Sequence, residues 1–218
     1  MATGAVFWLI AVGYTSRAVL LITGLLGLAR YRKLRGLRYL VWLVWFGLAV
    51  ELAAQLLHDV KGNNLVMVPL DASGEIWLLS LLYVWALESP WFTRLRLWVA
   101  SGFVVYAGLS SVMAPEFVRF KTGVLVVESL LLLLLAGLYY RKVLNELRVL
   151  QLDRDPMFWV STGLILYALG KLLISLFGNY VLEHYSQQLS LTVWTIHGLL
   201  TIVLYLCYLR ALWLRPQK

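Results

Sequence analysis

The sequence predicts an all-α membrane protein, a bundle of seven transmembrane helices that forms a single domain over residues 1–218. Hydrophobic residues make up 61% of the chain and charged residues only 14%, which is more apolar surface than a soluble domain of this length buries. Seven stretches each approach the roughly 20 apolar residues that a helix needs to cross a hydrocarbon core. Runs such as "VLVVESLLLLLLAGLYY" (124–140) lack the alternation of barrel strands, so helices are favoured over a β-barrel.

The seven predicted spans follow one another with short connections and no long linker. The start "MATGAVFWLIAV" has no basic segment before its apolar run, so it is interpreted as the first span and not as a removed signal. The predicted spans are 6–28, 37–59, 65–88, 96–113, 122–140, 157–179 and 190–212. No stretch between them is long enough to bury a soluble core.

The basic residues predict the orientation. With the N-terminus outside, fourteen of the nineteen lysines and arginines fall on the inner side and three on the outer side. This bias indicates an outer N-terminus and a cytoplasmic C-terminus. It also explains the net charge of +8 without nucleic acid, because the basic groups are spread over separate loops. The expected partner is therefore the lipid bilayer of a multi-pass protein.

Ionisable side chains inside the predicted spans concentrate in the outer half of the membrane. At about 1.5 Å per residue, Lys171 lies roughly 21 Å from the inner end of the sixth span, and Glu51 reaches the same depth in the second. A charged side chain that faces lipid raises the free energy of membrane insertion by at least ~2.5–3.5 kcal/mol. These groups are therefore expected to face the interior of the bundle and to pair with one another. Lys171 is predicted to pair with Glu51 or Glu128. The candidate ligand-binding residues are Arg17, Glu51, Gln55, Glu75, Glu128, Lys171, Trp194 and His197.

Polar stripes on three spans predict that these residues converge in an outward-facing pocket. They comprise Glu51, Gln55 and His58 on span two, Tyr167, Lys171, Ser175 and Asn179 on span six, and Trp194, His197, Thr201 and Tyr205 on span seven. The inner halves of the spans are, by contrast, expected to be close to purely apolar. Two interpretations stay open, a ligand or ion site and a set of interhelical ion pairs that only stabilises the bundle.

The order of the spans is compatible with a 3+1+3 parallel repeat. Spans one to three and five to seven run in the same directions, and aligning 51–64 with 171–181 places Glu51 over Lys171. In such a repeat the fourth span is a linker and a site lies between the halves. Small sugar transporters have this plan, and seven-helix receptors share its topology.

Enzymatic chemistry has little support in the sequence, which shows no P-loop, dinucleotide-binding fingerprint or Gly-x-Ser-x-Gly elbow. We predict no cofactor and no catalytic residue. A zinc site built from His58, His184 and His197 is a weaker hypothesis, because no pair of histidines has the usual ligand spacing. A metal-dependent intramembrane hydrolase is accordingly the third-ranked function.

Two segments, "NNLVMVPLDASGEIWLLSLLY" (63–83) and "LTVWTIHGLLTIVLYLCYLRALW" (191–213), resemble those of a group of short bacterial seven-helix membrane proteins. The resemblance implies a bacterial inner-membrane protein and brings no activity with it. The chain departs from the group at Pro69 and Asp71, where a histidine and an aromatic hydroxyl are expected. The matching positions are Asn63, Asn64, Leu65, Glu75, Trp194, Ile196 and His197.

We expect a receptor-like or sensor-like protein whose outward-facing pocket takes a small polar or amphiphilic ligand or protons. His197 and the carboxylates are suited to sensing pH. The segment 141–156 is predicted to continue span five as a charged amphipathic helix, which offers a surface to a separate cytoplasmic signalling partner. The alternative is a small-solute or ion transporter, which requires that the inner half also opens.

Overall fold

The computed structural model describes residues 2–62, 64, 66–113, 122–146, 152–184 and 187–214. This part of the chain forms seven α-helices and contains no strand, which confirms the all-helical class. Short 3-10 turns lie between α1 and α2 and before α6. The helices are α1 (Ala2–Arg30), α2 (Arg38–Lys61), α3 (Met67–Leu87), α4 (Pro90–Met113), α5 (Thr122–Glu146), α6 (Pro156–His184) and α7 (Gln187–Trp213).

Six of these helices are long and apolar enough to cross a membrane, namely α1, α2, α3, α5, α6 and α7. The predicted fourth span, 96–113, is helical and belongs to α4, but the described part of α4, which leaves out the side chains of 112 and 113, is not among the six. Its sequence carries Arg94, Arg96 and several serines, which lower its mean hydropathy. The prediction of seven apolar spans is therefore confirmed for six of them.

The six apolar helices form a closed ring, and α4 lies outside it. Neighbouring helices pack in the order α1, α2, α3, α5, α6 and α7, and α7 packs back along α1. Helix α4 packs against α3 and hardly touches α5. The end of the ring at which α2 leads into α3 is called the cavity end, and the opposite end, with Arg30, Arg141 and Lys142, is called the basic end.

Local sequence signals explain where several helices end. Helix α2 stops at Gly62, which has φ +68° and whose N–H donates to the carbonyl of His58, as in a left-handed C-cap. Helix α6 begins at Pro156 directly after Asp155, whose carboxylate accepts a hydrogen bond from the Met157 N–H at 2.9 Å. Helix α5 continues beyond the predicted span to Glu146, while residues 147–151 of the predicted amphipathic segment lie outside the described residues.

Small residues allow the helices of the ring to approach closely. A Cβ atom at Gly74 of α3 would lie 2.1 Å from a carbon of the Phe46 ring of α2. A Cβ atom at Gly163 of α6 would lie 2.7 Å from the Cβ of Cys207 of α7. Close packing through glycine is the usual means by which helices associate where lipid removes the hydrophobic driving force. Cys207 is accordingly a buried, free packing residue.

A buried hydrogen bond joins α3 to α6 within the hydrophobic core. The hydroxyl groups of Tyr83 and Ser161 lie 2.8 Å apart, and both residues are fully buried. We expect Tyr83→Phe to lower the free energy of unfolding by about 1 kcal/mol, because the bond is lost while the ring still fills its space. Chemical unfolding in detergent micelles measures this loss. If the loss of stability in the double variant equals the sum of the losses in Tyr83→Phe and Ser161→Ala, the two hydroxyls are not coupled.

Candidate functional site

A large cavity, about 770 Å³, lies inside the helix ring at the cavity end. Every helix of the ring contributes at least one residue to its wall, whereas the wall contains no residue of α4. The wall consists of Leu9, Gln55, His58, Asn64, Val68, Asp71, Leu125, Tyr167, Lys171, Ile174, Ser175, Trp194 and His197. A volume of this size is in the range that holds small-molecule ligands.

The polar stripes predicted on α2, α6 and α7 do meet in this cavity. Gln55 and His58 are exposed and lie at its rim, whereas Lys171 and Ser175 are buried deeper. Of the predicted ligand-binding residues, Gln55, Lys171, Trp194 and His197 line the wall. The side chains of Asn179 and His184 lie outside the described part of the structure.

Lys171 pairs with two carboxylates at the inner wall of the cavity. Its Nζ donates to Oε1 of Glu128 at 2.7 Å and lies 3.6 Å from Oε2 of Glu75. The Glu128 side chain has 0% exposure and the Lys171 side chain 9%. The prediction that Lys171 pairs with Glu51 or Glu128 is confirmed for Glu128. This ion pair explains how an ammonium group is held inside an apolar helix.

The site carries more carboxyl groups than cations. Asp71 lies one helical turn before Glu75 on the same face of α3, and both line a second, smaller cavity that also touches Tyr167. Asp71, Glu75 and Glu128 are thus three acidic groups around the single ammonium of Lys171. The inner wall is electronegative unless two of the carboxyl groups are protonated or a cation joins them.

Arg17 and Glu51 form a separate pair between α1 and α2. Arg17 Nε donates to Oε1 of Glu51 at 2.9 Å, and its Nη2 donates to Oε1 of Gln55 at 3.2 Å. Their side chains are 39% and 32% exposed, and neither residue lines the cavity. Arg17 and Glu51 thus satisfy each other outside the wall of this cavity, and their part in ligand binding stays a prediction.

Aromatic rings form one side of the cavity around His197. The rings of Tyr167 and His197 lie 5.7 Å apart, and those of Trp194 and His197 6.2 Å apart. The Lys171 ammonium lies 5.2 Å from the centre of the Tyr167 ring, a cation–π distance. Nδ1 of His197 and Oε2 of Glu128 are buried and have no hydrogen-bond partner among the described residues. Buried polar atoms of this kind are points at which a ligand can bind.

Buried and half-buried hydroxyl groups continue from the cavity toward the basic end. The smaller cavity, about 60 Å³, shares Asp71 and Tyr167 with the large one and extends to Tyr205 and Tyr208. Further along lie the Tyr83 and Ser161 pair, and a bond between the hydroxyls of Tyr140 and Thr162, which are 2.6 Å apart. The expectation of a purely apolar inner half is therefore wrong, because these tyrosines present hydroxyls as well as rings to the interior.

The described side chains contain no group of three His, Cys, Asp or Glu residues that could hold a metal ion. His58 and His197 both line the large cavity, but no third ligand joins them within this part of the chain. The zinc hypothesis thus gains no support from the side chains that are placed.

Comparisons of the chain with protein families, with functionally described proteins and with solved structures found no match. Its function has to be inferred from the site itself.

Proposed function

We propose that this chain is a bacterial inner-membrane protein of receptor or sensor type that binds a small, positively charged polar ligand in the 770 Å³ cavity. The single observation that carries the proposal is the excess of carboxyl groups over cations around Lys171. A cation in the cavity would bind Asp71, which lines the wall, and would balance part of the carboxyl charge around Lys171. The aromatic side chains of Tyr167 and Trp194 are suitable partners for an ammonium group.

The orientation proposed here places the N-terminus and the cavity end outside the cell. The distribution of lysine and arginine supports it, because the basic end gathers most of these residues. The position of α4 outside the ring supports a 3+1+3 repeat, in which α1–α3 and α5–α7 are the two halves. Ligand binding between the halves would change ion pairs that join α3, α5 and α6, and a separate cytoplasmic partner would detect the change.

The experiment is a thermal-melting series on the purified protein with small amines and quaternary ammonium ions, each beside its neutral isostere. We expect cations, and not the isosteres, to raise the melting temperature. Asp71→Asn keeps the shape of the wall and removes a charge, so it should weaken binding of the best cation at least about tenfold.

Asp153→Asn is the matched control, since Asp153 is exposed at the basic end, far from the cavity. It should leave cation binding unchanged. If no cation stabilises the native protein, or if Asp71→Asn and Asp153→Asn behave alike, the proposal of a cation-binding cavity is wrong.

A second candidate function is a small-solute or ion transporter. The observation that favours it is the line of buried and half-buried hydroxyls that continues from Asp71 and Tyr167 toward the basic end. Flux of a bound cation across proteoliposomes separates the two functions. Saturable flux that Tyr208→Phe reduces supports transport, whereas binding without flux supports a receptor.

A further inference from the structure

We propose that an anionic phospholipid binds in the groove between α4 and α5 near the basic end, with its phosphate on Arg96 and an acyl chain in the adjoining apolar cavity. This site is separate from the polar cavity, since the two share no residue. It accounts for two buried nitrogen atoms of the Arg96 side chain that have no hydrogen-bond partner among the described residues.

Arg96 is the residue that indicates a bound ligand. Its Nε and Nη1 atoms are buried and have no hydrogen-bond partner among the described residues. Leaving charged donors buried and unpaired is strongly unfavourable. Arg96 lies six residues after Pro90, the start of α4, which is roughly 9 Å along the helix. A phospholipid phosphate supplies the acceptors that a guanidinium binds best, often through two bonds at once.

The groove beside Arg96 is lined almost entirely by apolar side chains, which suits an acyl chain. A cavity of about 110 Å³ opens there because α4 packs on α3 and hardly touches α5. Its other walls are Ile76, Ser80, Trp91, Phe92, Leu95, Val99, Ala100, Leu131, Leu134, Leu135 and Leu138. A free phosphate ion has no group that would fill this space, whereas a lipid has both the phosphate and the chain.

A second cavity, about 310 Å³, adjoins the first toward the basic end and shares Trp91, Phe92 and Leu138 with it. Arg141 and Lys142 line this cavity, with one carboxylate, that of Glu146, beside them. Lys142 already donates to the carbonyl of Ala86 at 3.0 Å, but the ammonium keeps its charge. Together with Arg96 these residues give the headgroup region a net positive charge, which favours an anionic over a zwitterionic lipid.

The test measures thermal melting of the delipidated protein in neutral detergent with phosphatidylglycerol, phosphatidylcholine of the same chains, or inorganic phosphate. Phosphatidylglycerol should raise the melting temperature by at least about 3 °C more than phosphatidylcholine, and inorganic phosphate should have no effect. Arg96→Gln should remove the difference between the lipids. Arg94→Gln, a change at an exposed arginine of the same helix that lines neither cavity, should preserve it.

Leu134→Trp tests the acyl-chain part of the site while Arg96 stays intact. Leu134 is 55% exposed and lines the groove, so a larger side chain there blocks the groove without overfilling the core. We expect the concentration of phosphatidylglycerol that gives half of the maximal stabilisation to rise at least about tenfold. The proposal is overturned if Arg96→Gln keeps the lipid preference, if Arg94→Gln loses it equally, if inorganic phosphate reproduces it, or if Leu134→Trp leaves it unchanged.

Discussion

Lys171→Met is expected to lower the free energy of unfolding by about 3–5 kcal/mol, because it leaves the Glu128 carboxylate buried without its counter-ion. The ammonium group is the only described cation in contact with Glu128, whose side chain has no exposure. Unfolding of the purified protein in mixed micelles, followed by helical circular dichroism, measures the loss.

Two further variants separate the ion pair from general damage. The double variant Lys171→Met with Glu128→Leu should recover part of the lost stability, since an apolar pair replaces the closer ion pair while Glu75 still lacks its cation. Arg17→Met breaks the pair between Arg17 and Glu51, whose side chains are 39% and 32% exposed. It should lower the free energy of unfolding by clearly less than Lys171→Met does. A Lys171→Met variant as stable as the native protein would show that Glu128 does not depend on Lys171.

Gly74→Leu is expected to destabilise the bundle by about 1–3 kcal/mol or more, because α2 and α3 approach at this residue. A Cβ atom alone would lie 2.1 Å from the Phe46 ring, so a larger side chain must push α3 away. Glu75 is the next residue, and its 3.6 Å contact with Lys171 should be lost at the same time. Chemical unfolding measures the stability, and cation binding measured as above should fall in parallel.

Gly137→Leu is the control for Gly74→Leu, since Gly137 of α5 is exposed and a Cβ atom there would meet nothing within 4 Å. Adding Phe46→Ala to Gly74→Leu should restore part of the stability by making room for the leucine. If Gly137→Leu and Gly74→Leu have equal effects, close packing at Gly74 is not what holds α2 and α3 together.

Most of the fold was predictable from the sequence, because long apolar runs with few charges dictate membrane-length helices. Helix α4 was the exception. The run 96–113 is apolar enough to suggest a span, but Arg94 and Arg96 at the start of α4 and the serines within it mark a less apolar helix. The peripheral position of α4 follows from tertiary packing, which periodicity does not reveal.

The site was predictable in part. Helical spacing brought Gln55, Lys171, Trp194 and His197 together, because polar residues at steps of three or four share a face that avoids lipid. The depth of a residue along its helix does not determine whether Glu51 or Glu128 pairs with Lys171, because the pairing depends on which helices are neighbours. Which helices are neighbours in the ring is set by tertiary packing and is therefore known only from the folded chain.

Asp71 is the main site residue that the prediction left out of the pocket. Its spacing of four from Glu75 is a usable signal that both share one face of α3. The buried hydroxyls of Tyr83 and Tyr208 were missed for another reason. Tyrosine in an apolar helix has the same pattern as a core aromatic residue, so only packing shows that the Tyr83 hydroxyl meets that of Ser161 and that the Tyr208 hydroxyl is buried beside the smaller cavity.

The account depends most on whether the cavity is filled with water and open at the cavity end. Ile174 lines the cavity, whereas its neighbour Leu173 is 58% exposed on the outside of the same helix. Each is replaced by cysteine in a Cys207→Ser background, and a charged, membrane-impermeant thiol reagent is added from either side of sealed vesicles. The account predicts that Ile174→Cys reacts from the cavity side at least about tenfold faster than Leu173→Cys, because the thiolate forms only in contact with water. Equal rates at the two positions, or reaction of Ile174→Cys only from the basic side, would contradict it.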